Sequence, residues 1–110
     1  MHLTVTRAPA HGIRITRAVK GKVVGRAFLY ILWNGLHDRP FGFMEDVFVE
    51  PEHRGSNVGT ALVKRVIAEA KRHGCYKLVA TSRHSREKVH ALYLKLGFKD
   101  HGKEFRIDLI

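Results

Sequence analysis

Twelve consecutive residues, Val49-Glu50-Pro51-Glu52-His53-Arg54-Gly55-Ser56-Asn57-Val58-Gly59-Thr60, leave this chain little choice of architecture. Before them, positions 41–49 read as a strand. Phe43, Glu45, Val47 and Val49 fall on one face and Met44, Asp46 and Phe48 on the other. Both faces are largely apolar, which predicts a central strand. After them, Val58, Leu62, Val66 and Ala70, with Val63 and Ile67, keep the i, i+4 rhythm of an amphipathic helix. Gly74 stands where that helix should end. A strand that passes through a small-residue loop straight into a helix commits the chain to α/β layering. The same junction aims several backbone N–H groups at one spot, at the positive end of a helix dipole. That suits a pyrophosphate, and Arg54 can reach the same oxygens. The segment is neither a Walker loop nor a GxGxxG fingerprint. A plain strand–helix connection capped by Ser56 or Asn57 is the simpler alternative.

The flanking sequence fills in the order. Residues 3–7 and 13–17 alternate apolar and polar, so two strands are predicted, with a turn at 9–12. Gly21, between Lys20 and Lys22, predicts a tight turn into a long strand at 23–33. Asn34-Gly35 opens a loop that runs through Pro40. Residues 76–81 form a further strand. Ser85 is placed to cap a helix over 86–96, whose apolar stripe is Val89, Leu92, Tyr93 and Leu96. Residues 105–110 supply a last strand. The predicted order is ββββ-α-β-α-β, an α/β domain with an antiparallel start.

Its 110 residues suit one domain, 1–110, since halves of that length would each bury too little core. A single cysteine, Cys75, excludes an intramolecular disulfide framework. The longest apolar run, Ala27 to Trp33, is seven residues, against about 20 for a membrane helix. Arg7, His11, Arg14 and Arg17 interrupt any leader-like stretch. A cytoplasmic protein with no membrane partner is expected. Lys and Arg number 20 against 10 Asp and Glu, a net charge of +10 that favours anionic partners. The acids are not scattered: five of them lie within 38–56. No His-Glu-x-x-His or cysteine cluster points to a metal.

Two spacings carry a resemblance. Val49-x-Pro51-x-x-Arg54-Gly55-x-x-Val58-Gly59-x-x-Leu62 resembles the acyl-CoA-binding motif of the GNAT superfamily of N-acyltransferases. Ala91-Leu92-Tyr93-Leu94-Lys95-Leu96-Gly97-Phe98 is similar to that superfamily's later YxxxGF motif, in the expected order. The match spans roughly residues 20–110. Glu45-Asp46-Val47 and residues 74–78 are similar, more narrowly, to glucosamine-6-phosphate N-acetyltransferases. The resemblance implies a GNAT-like mixed sheet and an acetyl-CoA co-substrate. It places the pyrophosphate on Arg54, Gly55, Ser56, Asn57, Val58, Gly59 and Thr60. It lays the pantetheine arm along Val47, Phe48 and Val49, where that strand splays from its parallel neighbour. The reaction it implies is direct attack of a primary amine on the thioester in a ternary complex.

By the same resemblance Tyr93 is the acid for the departing thiolate. A Tyr is protonated at neutral pH and able to donate. As a bare residue, without the resemblance, Tyr93 reads first as a core aromatic on an apolar stripe. Glu45 matches a position where members keep a base, often acting through water, and Asp46 is its neighbour and rival. On a strand with apolar surroundings, at least one of these carboxylates is expected to be poorly solvated, with a raised pKa. The alternative is that they partner the many bases. Two positions depart from the pattern: Asn57 replaces a usual Gly and Arg86 a usual Asn, where Arg86 could meet a CoA phosphate instead. The helices usual after the first strand have no room at 8–12. Their absence should expose apolar sheet, so a homodimer is expected, with an acceptor site shared between subunits. Two other readings stand beside this one: a basic, non-catalytic nucleic-acid-binding domain, and a CoA-binding domain without an acceptor site.

Overall fold

A computed structural model describes residues 1–110. The elements are β1 (Ala10–Val19), β2 (Lys22–Leu32), β3 (Phe41–Val49), a single 3-10 turn (Pro51–His53), α1 (Val58–Arg72), β4 (Leu78–Ala80) and α2 (Glu87–Lys95). They fall into two compact units, Met1–Ala80 and Thr81–Ile110. In the first unit the sheet order is β1-β2-β3-β4. The first three strands are antiparallel neighbours, and β3 and β4 run parallel. β3 is therefore internal, as its two apolar faces require.

Strand periodicity explains the core. Ala27, Leu29 and Ile31 of β2 are buried together with Met44 of β3. Against them lie Leu62, Val63, Val66 and Ala70, one stripe of α1. Alternate residues Phe28, Tyr30 and Leu32 are half-buried on the opposite face. There the rings of Phe28 and Tyr30 lie nearly parallel, with centroids 6.2 Å apart. Gly25 lets the helix come close. A methyl group on it would stand 2.9 Å from Cγ1 of Val58 and 3.1 Å from Cδ1 of Leu62. Tight turns use left-handed residues, Lys20-Gly21 between β1 and β2 above all.

Several expected elements differ. Residues 3–7 form no strand, and β1 instead begins at Ala10, inside the expected 9–12 turn. Pairing with β2 prevails there: Ala10 stands opposite Leu32 and His11 opposite Ile31, so tertiary pairing overrides the local turn signal. Residues 105–110 form no strand either. The 76–81 strand shortens to Leu78–Ala80, the only stretch that β3 pairs. Ser85 does not cap α2. Arg86 occupies the N-cap without a side-chain bond.

α1 carries one buried acid. Glu69 accepts bonds from Arg65 (Nε, 3.2 Å) and Arg72 (Nε, 2.9 Å), and its backbone oxygen lies 2.8 Å from Nδ1 of His73. The bond from Arg72, helped by Arg65, holds this carboxyl below its ordinary value despite the opposing cost of burial. A depressed native pKa adds stability above the unfolded value, and that stability disappears as pH falls through the native one. Glu69→Gln should therefore flatten the acid limb of a stability–pH curve measured by urea unfolding, and leave the alkaline limb alone. Gly25→Ala forces Val58 and Leu62 to move and should cost about 1–3 kcal/mol, read as a lower urea midpoint at unchanged m-value.

Candidate functional site

The site is built where β3 changes partners. Between Arg26 opposite Phe48 and Phe28 opposite Glu45, β2 offers one residue, Ala27, while β3 offers two, Asp46 and Val47. This is a bulge, and Asp46 takes a left-handed φ of 53° in it. Asp tolerates that conformation better than most residues. The bulge shifts the face pattern expected from simple alternation. Phe43, Glu45 and Phe48 now stand opposite Tyr30, Phe28 and Arg26 on one face. Val49 joins the helix side, with Cγ2 3.7 Å from where a β-carbon of Gly59 would be.

At the same point β3 loses its parallel neighbour. Pairing with β4 covers Gly42, Phe43 and Met44 and stops there. The strand continues five residues further, from Glu45 to Val49, with its β4 side unpaired. On that side the stretch Val47, Phe48 and Val49 thus has no strand partner, although the Val49 carbonyl is engaged by the Arg54 side chain.

The loop that follows is shaped by its own short-range bonds. Ser56 Oγ donates to the His53 carbonyl at 2.5 Å, and Arg54 N–H to that of Pro51 at 3.2 Å. Arg54 Nε donates to the Val49 carbonyl at 2.8 Å, and its guanidinium lies 5.4 Å from the centre of the Phe48 ring. These bonds tie Arg54 to the end of β3 and leave it exposed. Gly55 has φ 84° and open space where a side chain would be. Asn57 has φ 66°, so the residue that replaces the usual Gly adopts the glycine-like conformation. Its backbone oxygen accepts the bond from Ala61 N–H that starts α1.

No side chain caps α1, and no acid lies in its first turn. The N–H groups of Val58, Gly59 and Thr60 therefore remain free at the positive end of a 15-residue helix. Ser56 and Asn57, the expected caps of a plain connection, do not act as such. The arrangement can hold an anion from the helix end, with Arg54 beside it.

Glu45 and Asp46 do not meet the expectation of a poorly solvated carboxylate. Both are exposed. Asp46 pairs with Arg26 at 3.3 Å, the partnering role that was the alternative, and the Arg26 guanidinium also lies 4.8 Å from the Phe48 ring centre. Glu45 has no ion pair and stands across from Phe28. In the second unit, Tyr93 lies on α2 with its ring 5.2 Å from that of Phe98. Burial pushes its phenol up, and Arg86, exposed at the N-cap of α2, offsets part of that rise. The phenol is thus firmly protonated at neutral pH. Burial also raises the Cys75 thiol, which sits 3.6 Å from where a β-carbon of Gly42 would be. That suits a small apolar filler rather than a nucleophile.

One feature was not anticipated from the sequence. An open groove of about 660 Å³ runs between β1 and α1. Ile13, Ile15, Ala61 and Leu62 supply much of its apolar lining, and Arg14, Arg17, Arg65 and Glu69 its charge. The alternation of Ile13 and Ile15 signalled an apolar strand face there, but the distance to the helix is a tertiary property.

No helix is long and apolar enough to cross a membrane. The Acetyltransferase (GNAT) family matches residues 3–98. The chain is 38% identical to a glucosamine 6-phosphate N-acetyltransferase of Trypanosoma brucei brucei over 81% of its length and 59% of that protein's. It is 34% identical to an aminoglycoside N(6')-acetyltransferase type 1 of Stenotrophomonas maltophilia, over 89% of this chain and 67% of the relative. A crystal structure of a Trypanosoma brucei acetyltransferase superposes with a TM-score of 0.75 at 32% identity, over 93% of this chain and 70% of that one. The chain thus spans about three fifths of the first of these relatives. With the divergent β3, the uncapped α1 and both sequence motifs in place, the chain belongs to the GNAT family of acetyltransferases.

Proposed function

We propose that this chain is an acetyl-CoA-dependent N-acetyltransferase that acts on a primary amine. The observation that carries the reading is the uncapped α1 N-terminus, set directly behind a strand whose β4 side is open. Acetyl-CoA is an anionic head on an amide-bearing arm, and these residues fit it. The N–H groups around Val58, Gly59 and Thr60, with Arg54, Gly55, Ser56 and Asn57, receive the pyrophosphate. The open, β4-side edge of β3 at Val47, Phe48 and Val49 receives the arm. A main-chain N–H there polarises the thioester carbonyl. Arg86 serves as a further phosphate contact. GNAT family membership favours this over the nucleic-acid alternative.

Tyr93 supplies the proton to the departing thiolate, supported by its firmly protonated phenol. Glu45 is the base. Its exposure suits relay through water, and Asp46 is less suited because Arg26 already engages it. The net charge of +10 favours an anionic acceptor such as a phosphorylated amino sugar. The reading includes a homodimer and a cytoplasmic location. The lone unpaired cysteine agrees with a reducing compartment.

Calorimetry with acetyl-CoA tests the cofactor site. Micromolar binding is expected, weakened about 10- to 100-fold by Arg54→Ala, the worth of one charged hydrogen bond. Absence of binding would overturn the proposal. Binding without turnover across amino-sugar acceptors would favour a CoA-binding domain with no acceptor site. With an active acceptor in hand, Tyr93→Phe should lower kcat by roughly 10²- to 10⁴-fold with KM for acetyl-CoA little changed. Glu45→Gln should also lower kcat. An unaltered kcat would remove either residue from the mechanism.

A further inference from the structure

We propose that the sheet face turned away from α1 seats a phosphorylated amino sugar as acceptor, with its phosphate on Arg14, its ring against Phe28 and Tyr30, and its amine at Glu45. The inference rests on the acetyltransferase reading above and locates its second substrate.

Register brings these residues together across three strands. Arg14 of β1 stands opposite Phe28 of β2, and Phe28 opposite Glu45 of β3. Residues directly opposite one another share a face. Ala27 and Leu29, on either side of Phe28, are buried in the core beside α1, so the row lies on the other face. A cation, a ring and a carboxylate thus follow one another over two strand spacings, about 10 Å.

Each member is available. Arg14 and Glu45 are exposed, and neither forms an ion pair. Arg14 also borders a recess of about 90 Å³ with Arg26, Phe48 and Glu50. Asp46 already engages Arg26, which leaves Arg14 as the free cation there. Phe28 and Tyr30 are half-buried, and their ring planes differ by only 7°. Gly12 makes room for them: a methyl group on it would stand 3.1 Å from Cε1 of Tyr30, so that ring leans over the backbone of β1. Two parallel rings beside a bare glycine form an apolar shelf suited to the C–H face of a pyranose.

The flanking charges select the ligand. In a 2-amino hexose 6-phosphate the amine and the phosphoryl arm leave opposite corners of the ring. A ring laid on Phe28 directs one toward Glu45 and the other toward Arg14. A guanidinium can hold a phosphate through two parallel hydrogen bonds. Glu45 meets the amine where the base is needed. A sugar with several amines and no phosphate would set a cation against Arg14.

Kinetics on the full chain with glucosamine 6-phosphate and glucosamine, at saturating acetyl-CoA, test the site. The 6-phosphate should be preferred at least tenfold in kcat/KM. Arg14→Ala should raise KM for the 6-phosphate about 10- to 100-fold with kcat little changed, and so erase the preference. Arg14→Lys should restore part of it. Phe28→Leu should raise KM for both sugars in equal proportion, up to about tenfold. Far-UV circular dichroism and acetyl-CoA affinity should not move in any of these variants. If the 6-phosphate binds without turnover, its Kd replaces KM in the same comparisons. Equal use of the two sugars by the wild type, or an Arg14→Ala variant that affects both alike, would overturn the site. So would a protein that binds acetyl-CoA but not glucosamine 6-phosphate. Failure to bind acetyl-CoA would instead overturn the enzymatic reading, and the site with it.

Discussion

The contact of α1 with β2 at Gly25 is the constraint on which the rest of this molecule depends. Because that position has no side chain, Val58 and Leu62 can lie directly on the sheet. The first turn of the helix is thereby fixed against the end of β3. Everything proposed for the anion site follows from that placement. Free N–H groups are useful only if they point to a defined spot, and a helix held a few tenths of an ångström further out would aim them elsewhere. The buried side chains Val63 and Val66 continue the same seam and keep the helix from rolling.

A second constraint is the bulge at Asp46. One extra residue in β3 moves Val49 to the helix side and Phe48 to the aromatic face. It also coincides with the point where β4 falls away. A sheet that kept perfect register to its end would have satisfied all of β3's backbone and left nothing to pair with a ligand. Here the irregularity is the part that the proposed function uses, and regular pairing up to Met44 is what holds it in place.

Much of this was legible in the sequence, for physical reasons. The i, i+4 stripe of α1 and the dense apolar alternation of β2 are strong periodic signals, and both elements formed within a residue or so of expectation. The loop after β3 and the start of α1 at Val58 were legible because small residues and a helix start leave few conformational alternatives. The bulge was not, since Glu45-Asp46-Val47 reads as ordinary alternation and only the opposing strand shows the surplus residue. The faces of Phe48 and Val49 differ from expectation as a direct result, and Glu45 and Asp46 are exposed where a poorly solvated carboxylate was expected. Residues 3–7 and 105–110 alternate as strands do, yet pattern alone supplies no partner, and a strand requires one. The turn expected at 9–12 yielded to pairing with β2 for the converse reason.

The position of Cys75 has a consequence for how this fold can be watched. It is the only thiol in the chain, it is partly covered, and its proton is held more tightly than in free cysteine. It lies beside Gly42, where β3 and β4 are joined, and its N–H is bonded to the Ala70 carbonyl at the end of α1. A thiol-specific reagent will react slowly with the closed form and faster whenever this corner parts. The alkylation rate of the native protein is thus a built-in clock for opening of the β3–β4 junction.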